Sequence, residues 1–422
     1  MNVLLVTLGS HGDIHPFIAI ARALKVRGHR PTLATNPYFQ SQIEQAGVEF
    51  APLTERAELK QIIADNNVMD PVKGPMVVMR KLVLPFVPQF VERIRELIRE
   101  HKPDVVVYHP IVIGAAWACE LEGGVPTASV SPSPLMWANA ADQLVLLSFR
   151  SHTPRPREVR FDMFLGSIFM RFLMDPGLNR IRRELGLRPR RGNFHQDCVG
   201  ADLNLGIWSP LFRAPLPNDP RNSVVTGFCW HDRDQTQQVA DGELDEFFDA
   251  GPPPIVFALG STGVHAAGRF FEHAVGASRR LKRRALLVIG RDQPPPKAIA
   301  GDQSIKAVAY APFSAVFPRA SVVVHHGGAG TTAQALAAGR PTLITPMAHD
   351  QFDNAARMKR LGTSETLRFG KVNAINLEQI IHGLLSNPSF EQVAAKIGPS
   401  VGAEDGAARA AEAIARCVHE RT

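Results

Sequence analysis

Two series of short apolar runs, each run followed by a segment of helical periodicity, constrain this chain more than any other feature. In the first series, residues 3–8, 32–34, 105–108 and 127–130 are compact and apolar, as buried strands are. Between them Ile14, Phe17, Ile18, Ala21 and Leu24 fall at helical spacing until Gly28 stops the helix. Phe90, Val91, Ile94, Leu97 and Ile98 mark a second amphipathic helix. Strand and helix in alternation predict a parallel sheet with helices on both faces. The pattern then restarts with strand-like segments at 255–258, 285–289, 305–308, 321–324 and 342–345. The stretch between the series, 210–254, is rich in Pro, Asp, Gly and Gln, as a linker is. A chain of 422 residues also exceeds what one core usually supports. The expected fold class is therefore α/β, with two doubly wound, Rossmann-like parallel-sheet domains facing across a cleft. The N-terminal domain is expected over 1–215 and the C-terminal domain over 216–422, the last helix packing back on the former. Open sheets of this kind bind ligands beyond the carboxyl ends of their strands, so two facing edges make a site for two substrates.

The strongest local signal lies in residues 321–339, SVVVHHGGAGTTAQALAAG. A buried strand runs directly into His325-His326-Gly327-Gly328-Ala329-Gly330-Thr331-Thr332, and a helix of small residues follows. The glycines let backbone approach an anion closely, and the N–H groups at the new helix start favour phosphate. Taken alone, the same pattern also suits a plain tight turn. A further strand, near 341–346, ends in Met347-Ala348-His349-Asp350-Gln351-Phe352-Asp353-Asn354-Ala355. A carboxylate beside a carboxamide just past a strand end can accept from and donate to neighbouring hydroxyls of one sugar ring.

The combination HxGxGT, strand, DQxxNA resembles the nucleotide-binding signature of the GT-B glycosyltransferases of family 1. The opening 9–16, Gly260-Ser261-Thr262 and Tyr310-Ala311-Pro312 extend the likeness over nearly the whole chain. Val130-Ser131-Pro132-Ser133, Thr226-Gly227-Phe228 and the run 348–355 are similar to the rhamnolipid rhamnosyltransferase subgroup. The resemblance implies that His326, with His325 as the competing candidate, contacts a diphosphate that Gly328, Gly330, Thr331 and Thr332 bind at the helix start. It implies that Ser261 and Thr262 touch the phosphates, that Tyr310 stacks on the base, and that the Ala311 backbone reads the base edge. Asp350 and Gln351 would hold the donor sugar. Gln334 stands where the family usually has a glutamate that accepts from the ribose, which puts nucleotide preference in question.

Transfer to a hydroxyl needs a group that takes its proton. His11, Asp13 and His15 lie in the first-domain turn. In the family's plant branch the position of Asp13 is a histidine, and in its bacterial antibiotic branch an aspartate. Asp13 is accordingly expected as general base, with His15 in reserve. His109, near the end of a later strand, would pair with it in an inverted version of the plant arrangement; the alternatives are that it binds the acceptor or only caps the strand. The expected reaction is inverting and needs no metal or other cofactor. The motif Asp232-Arg233-Asp234 fits a metal-dependent pattern but lies in the polar linker. A sugar-nucleotide 2-epimerase and a non-catalytic auxiliary protein remain the rival readings.

Composition limits the partners. Lys and Arg number 47 against 40 Asp and Glu, a net charge of +7 that is too small for a nucleic-acid footprint. The excess sits in 150–160, 180–191 and 279–284, which suits a solvated face or peripheral contact with an anionic membrane. Phe161, Phe164, Leu165, Ile168, Phe169, Phe172 and Leu173 read as an inserted helix, either a roof over the acceptor pocket or an ordinary core helix. Four scattered cysteines, no signal-like start and no spanning apolar stretch fit the cytoplasm, or the inner face of the membrane. The expected partners are a nucleotide-sugar donor and a hydrophobic hydroxylated acceptor, met by a monomer or homodimer.

Overall fold

The computed structural model describes residues 1–55, 66–146, 154–231, 242–291 and 293–421. The chain divides into two compact units, one of Met1–Val68, Val72–Trp230 and Asp405–Thr422, the other of Met69–Pro71 and His231–Glu404. The motif Asp232-Arg233-Asp234 lies outside the described residues.

Among the described residues the first unit holds seven strands: β1 (Asn2–Val6), β2 (Arg30–Thr35), β3 (Glu49–Pro52), β4 (Val105–Tyr108), β5 (Thr127–Ser131), β6 (Leu203–Gly206) and β7 (Ser223–Val225). They form one sheet in the order β3-β2-β1-β4-β5-β6-β7, and every pair is parallel. Side chains alternate across a strand, and β1 divides its residues accordingly. Leu4 and Val6 enter the layer of Phe90, Val91 and Ile94 from helix Val87–His101. Val3 and Leu5 enter the opposite layer with Ile14, Phe17 and Ile18 from helix His11–Val26. The C-terminal helix Gly406–His419 joins that second layer through Ala410, Ala411, Ile414 and Val418. The first unit extends past residue 215, the boundary anticipated from composition, because β7 pairs with β6 and completes the sheet edge.

The inserted segment is a single helix, Pro156–Glu184, of 29 residues. Met174, Leu178 and Ile181 turn inward, whereas Phe161, Phe164, Leu165, Phe169 and Phe172 are exposed. These five are therefore not core residues. No described helix is long and apolar enough to cross a membrane.

Among the described residues the second unit has six strands: β8 (Ile255–Ala258), β9 (Ala285–Val288), β10 (Ile305–Val308), β11 (Val322–His325), β12 (Thr342–Ile344) and β13 (Ser364–Thr366). Their order is β10-β9-β8-β11-β12-β13, again wholly parallel. β11 lies between β8 and β12, so the segments leaving these three strands at their carboxyl ends become neighbours. That adjacency brings the sequence's second group of motifs together.

Candidate functional site

In the first unit the site grows from the turn between β1 and helix His11–Val26. Ser10 caps the helix, its hydroxyl accepting from the Gly12 N–H at 3.3 Å. Asp13 folds back, and its Oδ2 accepts from the Ser10 N–H at 2.8 Å and the Ser10 hydroxyl at 3.1 Å. This reciprocal capping box fixes the carboxylate. Only glycine suits position 9, where φ is +126° and a Cβ would stand 2.3 Å from Asp13 Oδ2.

Register does the rest. Val6 of β1 lies beside Tyr108 of β4, and the next residue, His109, donates its backbone N–H to the Val6 carbonyl. The His109 Nε2 comes 3.6 Å from Asp13 Oδ1. His109 Nδ1 accepts from the Ile111 N–H at 3.1 Å, so the proton of the neutral ring sits on Nε2, facing the carboxylate. Burial lowers the His109 pKa, against the smaller opposing pull of Asp13, and keeps the ring neutral. The Asp13 side chain keeps 30% of its surface exposed, so the carboxylate is open to solvent. His15 lies one turn beyond His11 along the helix, its ring edge-on to that of His11 at 5.2 Å.

In the second unit β11 runs into His325, His326, Gly327 and Gly328, and helix Ala329–Ala337 starts there. His325 is fully buried, and its Nδ1 accepts from the Gly327 N–H at 3.0 Å, so it braces the turn. His326 instead lies between two glycines. A Cβ at Gly260 would stand 2.5 Å from its Cε1, and one at Gly328 would stand 2.5 Å from its Nε2. Burial lowers the pKa of His326 to about 4 and of His325 to about 3, so both rings are neutral near pH 7. Gly260 opens the short helical turn Gly260–Gly263, which brings Ser261 and Thr262 to the same corner.

Among the described residues no side chain caps helix Ala329–Ala337, so the N–H groups of its first turn, Gly330 included, have no capping side chain there to bond. Thr331 and Thr332 are buried in that turn, and the Thr332 hydroxyl has no hydrogen-bond partner among the described residues. Gln334 follows in the second turn. A depression of about 340 Å³ lined by Ala337, Gly339, Arg340 and Glu391 lies at the other end of this helix, where carbonyls point and phosphate is disfavoured. Among the described residues, no three His, Cys, Asp or Glu side chains gather as a metal site.

Gly328→Ala isolates the role of the imidazole. Gly328 has φ −61° and ψ 148°, which alanine adopts freely, so the ring alone is displaced. A displacement of this kind costs about 10²-fold in rate. The expected result is that loss in kcat with a melting temperature near that of the parent.

Past β12, Asp350 stands immediately before helix Gln351–Arg360 but does not cap it. Its Oδ2 accepts from Asn354 Nδ2 at 2.8 Å, and the same amide donates to the Gly327 carbonyl at 2.9 Å. Gln351 Oε1 accepts from the Met347 and Ala348 N–H groups at 2.8 and 3.1 Å. Its carbonyl oxygen is thereby engaged, which leaves the amide N–H groups as the side chain's donors. Tyr310, 40% exposed, is no core tyrosine, and the Arg291 guanidinium lies 5.7 Å over its ring, with Ala311 buried beside it.

Sequence reasoning gave Asn354 no role, although the motif contains it. One buried amide ties the Asp350 carboxylate to the turn at Gly327. In Asn354→Ala the Gly327 carbonyl is left buried and unpaired, which costs about 1–3 kcal/mol of stability. We expect a lower melting temperature and a KM for nucleotide sugar that rises more than the Kd of the bare nucleotide. Ser10 was also overlooked, although its spacing to Asp13 is a capping-box signal.

Comparison with known proteins adds a second line. Residues 3–120 match the glycosyltransferase family 28 N-terminal domain, and residues 288–418 match the C-terminal domain of erythromycin biosynthesis protein CIII-like proteins. The chain is 30% identical over 439 residues to an O-mycaminosyltylonolide 6-deoxyallosyltransferase of Streptomyces fradiae, covering 100% of this chain and 99% of that one. It is 26% identical to a sterol 3-beta-glucosyltransferase of Arabidopsis thaliana, over 99% of this chain and 68% of that one. The crystal structure of the kitacinnamycin glycotransferase superposes with a TM-score of 0.74 at 21% identity, covering 99% of each chain.

Proposed function

The chain belongs to the GT-B glycosyltransferases of family 1, and from that premise we propose that it moves a sugar from a dTDP- or UDP-linked donor to a hydroxyl of a lipophilic small molecule, with inversion and without a metal. The observation that carries the donor half is the His326 ring, neutral and seated between Gly260 and Gly328 at an uncapped helix start. Such a start binds phosphate through its N–H groups, and a neutral imidazole adds a donor where the leaving diphosphate gains charge. The acceptor half draws on two relatives, named for transfer to O-mycaminosyltylonolide and to a sterol. A rhamnosyl donor and a glycolipid or secondary-metabolite product are the finer version of this reading.

The acceptor oxygen attacks the anomeric carbon opposite the diphosphate. Asp13 takes the hydroxyl proton as the new bond forms, and His109 Nε2–H, facing Asp13 Oδ1, orients the carboxylate. The carbon–oxygen bond to the diphosphate breaks, and the departing charge meets His326, Ser261, Thr262 and the helix start at Gly330–Thr332. Asp350 accepts from and Gln351 donates to sugar hydroxyls, while Tyr310 and Ala311 hold the base and Gln334 the ribose. No cofactor enters any step.

Thermal stabilisation of the purified protein by a panel of nucleotide sugars tests the donor half. A shift with one dTDP- or UDP-sugar is expected, and none with any of them would overturn the reading. Nucleotide diphosphate should appear only when acceptor is present; release without acceptor would favour an epimerase-like reaction. Full turnover should persist in EDTA, and a loss reversed by added Mg²⁺ or Mn²⁺ would refute the metal-free mechanism.

A further inference from the structure

We propose that the outer face of helix Pro156–Glu184 docks the protein on an anionic lipid bilayer. Phe161, Phe164, Leu165, Phe169 and Phe172 are between 45% and 80% exposed. Every exposed phenylalanine among the described residues lies on this one helix, so the pattern is a feature of the helix and not general surface scatter. At 3.6 residues per turn the five side chains fall within about 140° of arc, opposite the face that buries Val159 and Met174.

Charge identifies the occupant. Exposed Arg160 and Arg171 border one edge of the aromatic stripe, and exposed Arg157 lies within its arc at the helix start. From 159 to 172 the only acidic residue is Asp162, which is 2% exposed, and Glu158 is engaged with the Arg155 N–H at the helix start. A phenylalanine–leucine stripe bordered by arginines, on a helix not apolar enough to span, is the chemistry of a helix lying in a membrane interface. The rings enter the acyl boundary and the guanidinium groups stay at the phosphate level. A lipophilic acceptor would then be met where it dissolves; that consequence rests on the proposed function, whereas the docking does not.

Co-sedimentation of the full chain with vesicles tests this. Binding is expected to vesicles of equimolar phosphatidylglycerol and phosphatidylcholine, weakening at high salt, and little is expected to phosphatidylcholine alone. Phe164→Ser/Phe172→Ser should weaken binding about tenfold or more, and so should Arg160→Glu/Arg171→Glu. Both variants should keep the parent's circular dichroism, which separates docking from misfolding. Binding equal to the parent's in both variants, or no binding by the parent, overturns the proposal. So does a dimer seen by light scattering that Phe164→Ser/Phe172→Ser abolishes without altering vesicle binding, which would assign the face to a second copy. Retained vesicle binding with lost turnover of a water-soluble acceptor would assign it to the acceptor and equally sink the proposal. Vesicle binding is read without nucleotide, so a wrong donor or acceptor assignment leaves the result intact.

Discussion

Asp13→Asn is expected to lower kcat by about 10³-fold while leaving the affinity for nucleotide diphosphate unchanged. The substitution is nearly isosteric. An asparagine oxygen can still accept from the Ser10 N–H, so the turn and helix start survive, at the cost of replacing a charged acceptor with a neutral one. What disappears is the ability to take a proton. Because the Nε2 proton of His109 points at this carboxylate, His109 is not the base in the ground state. His109→Gln should therefore cost much less, about tenfold, by loosening the carboxylate it faces. Steady-state rates of both variants with saturating donor decide the order. If Asp13→Asn keeps most of its turnover, the proton must go to His15 or His11, one of which would then fail more severely.

Where the structure and the sequence reading agree, the reason is periodicity. The runs at 3–8, 105–108 and 322–325 are almost wholly apolar, and strands buried on both faces must be. The strands that escaped notice are short and carry polar residues. Leu203–Gly206 includes Asn204, whose buried amide donates to the carbonyls of Ala201 and Arg221 rather than facing water. Ser364–Thr366 and Ser223–Val225 are three residues each. Such segments pair because a sheet edge is present, which no local pattern announces.

The site shows a similar split. Residue types drew attention to Asp350-Gln351, and the family resemblance singled out Asp13 and His326 from the neighbouring histidines. What a linear reading lacks is which atoms are already engaged. Gln351 Oε1 is engaged by two backbone N–H groups, and Asn354 links two motifs that lie 23 residues apart at Gly327 and Asp350. The exposed phenylalanines of helix Pro156–Glu184 illustrate the same limit. Their spacing marks one helical face, but spacing cannot say whether that face is covered.

His326→Ala should lower kcat by about 10²-fold or more, equivalent to about 3 kcal/mol of transition-state stabilisation. That outcome requires the ring to be neutral. A cationic histidine would bind ground-state diphosphate strongly, so its removal would appear mainly as weaker nucleotide binding. A pKa held near 4 by burial makes His326 an uncharged donor above pH 5, and a neutral donor responds most to charge that develops during the reaction. The deficit should therefore fall in kcat, and the ratio of variant to parent rates should stay level from pH 6 to pH 8. The same burial has a stability consequence of definite sign. In the unfolded chain the ring titrates near its ordinary value of 6.5, so its contribution is complete above that pH and is lost as the pH falls towards 4. His326→Ala should accordingly flatten part of the drop in urea midpoint between pH 6.5 and pH 4, the remainder coming from His325. A variant that turns over normally, or one whose defect lies wholly in nucleotide affinity, would remove the leaving-group role from His326. His325 would be an unsuitable heir, since its Nδ1 is already committed to the Gly327 N–H and its ring is fully buried.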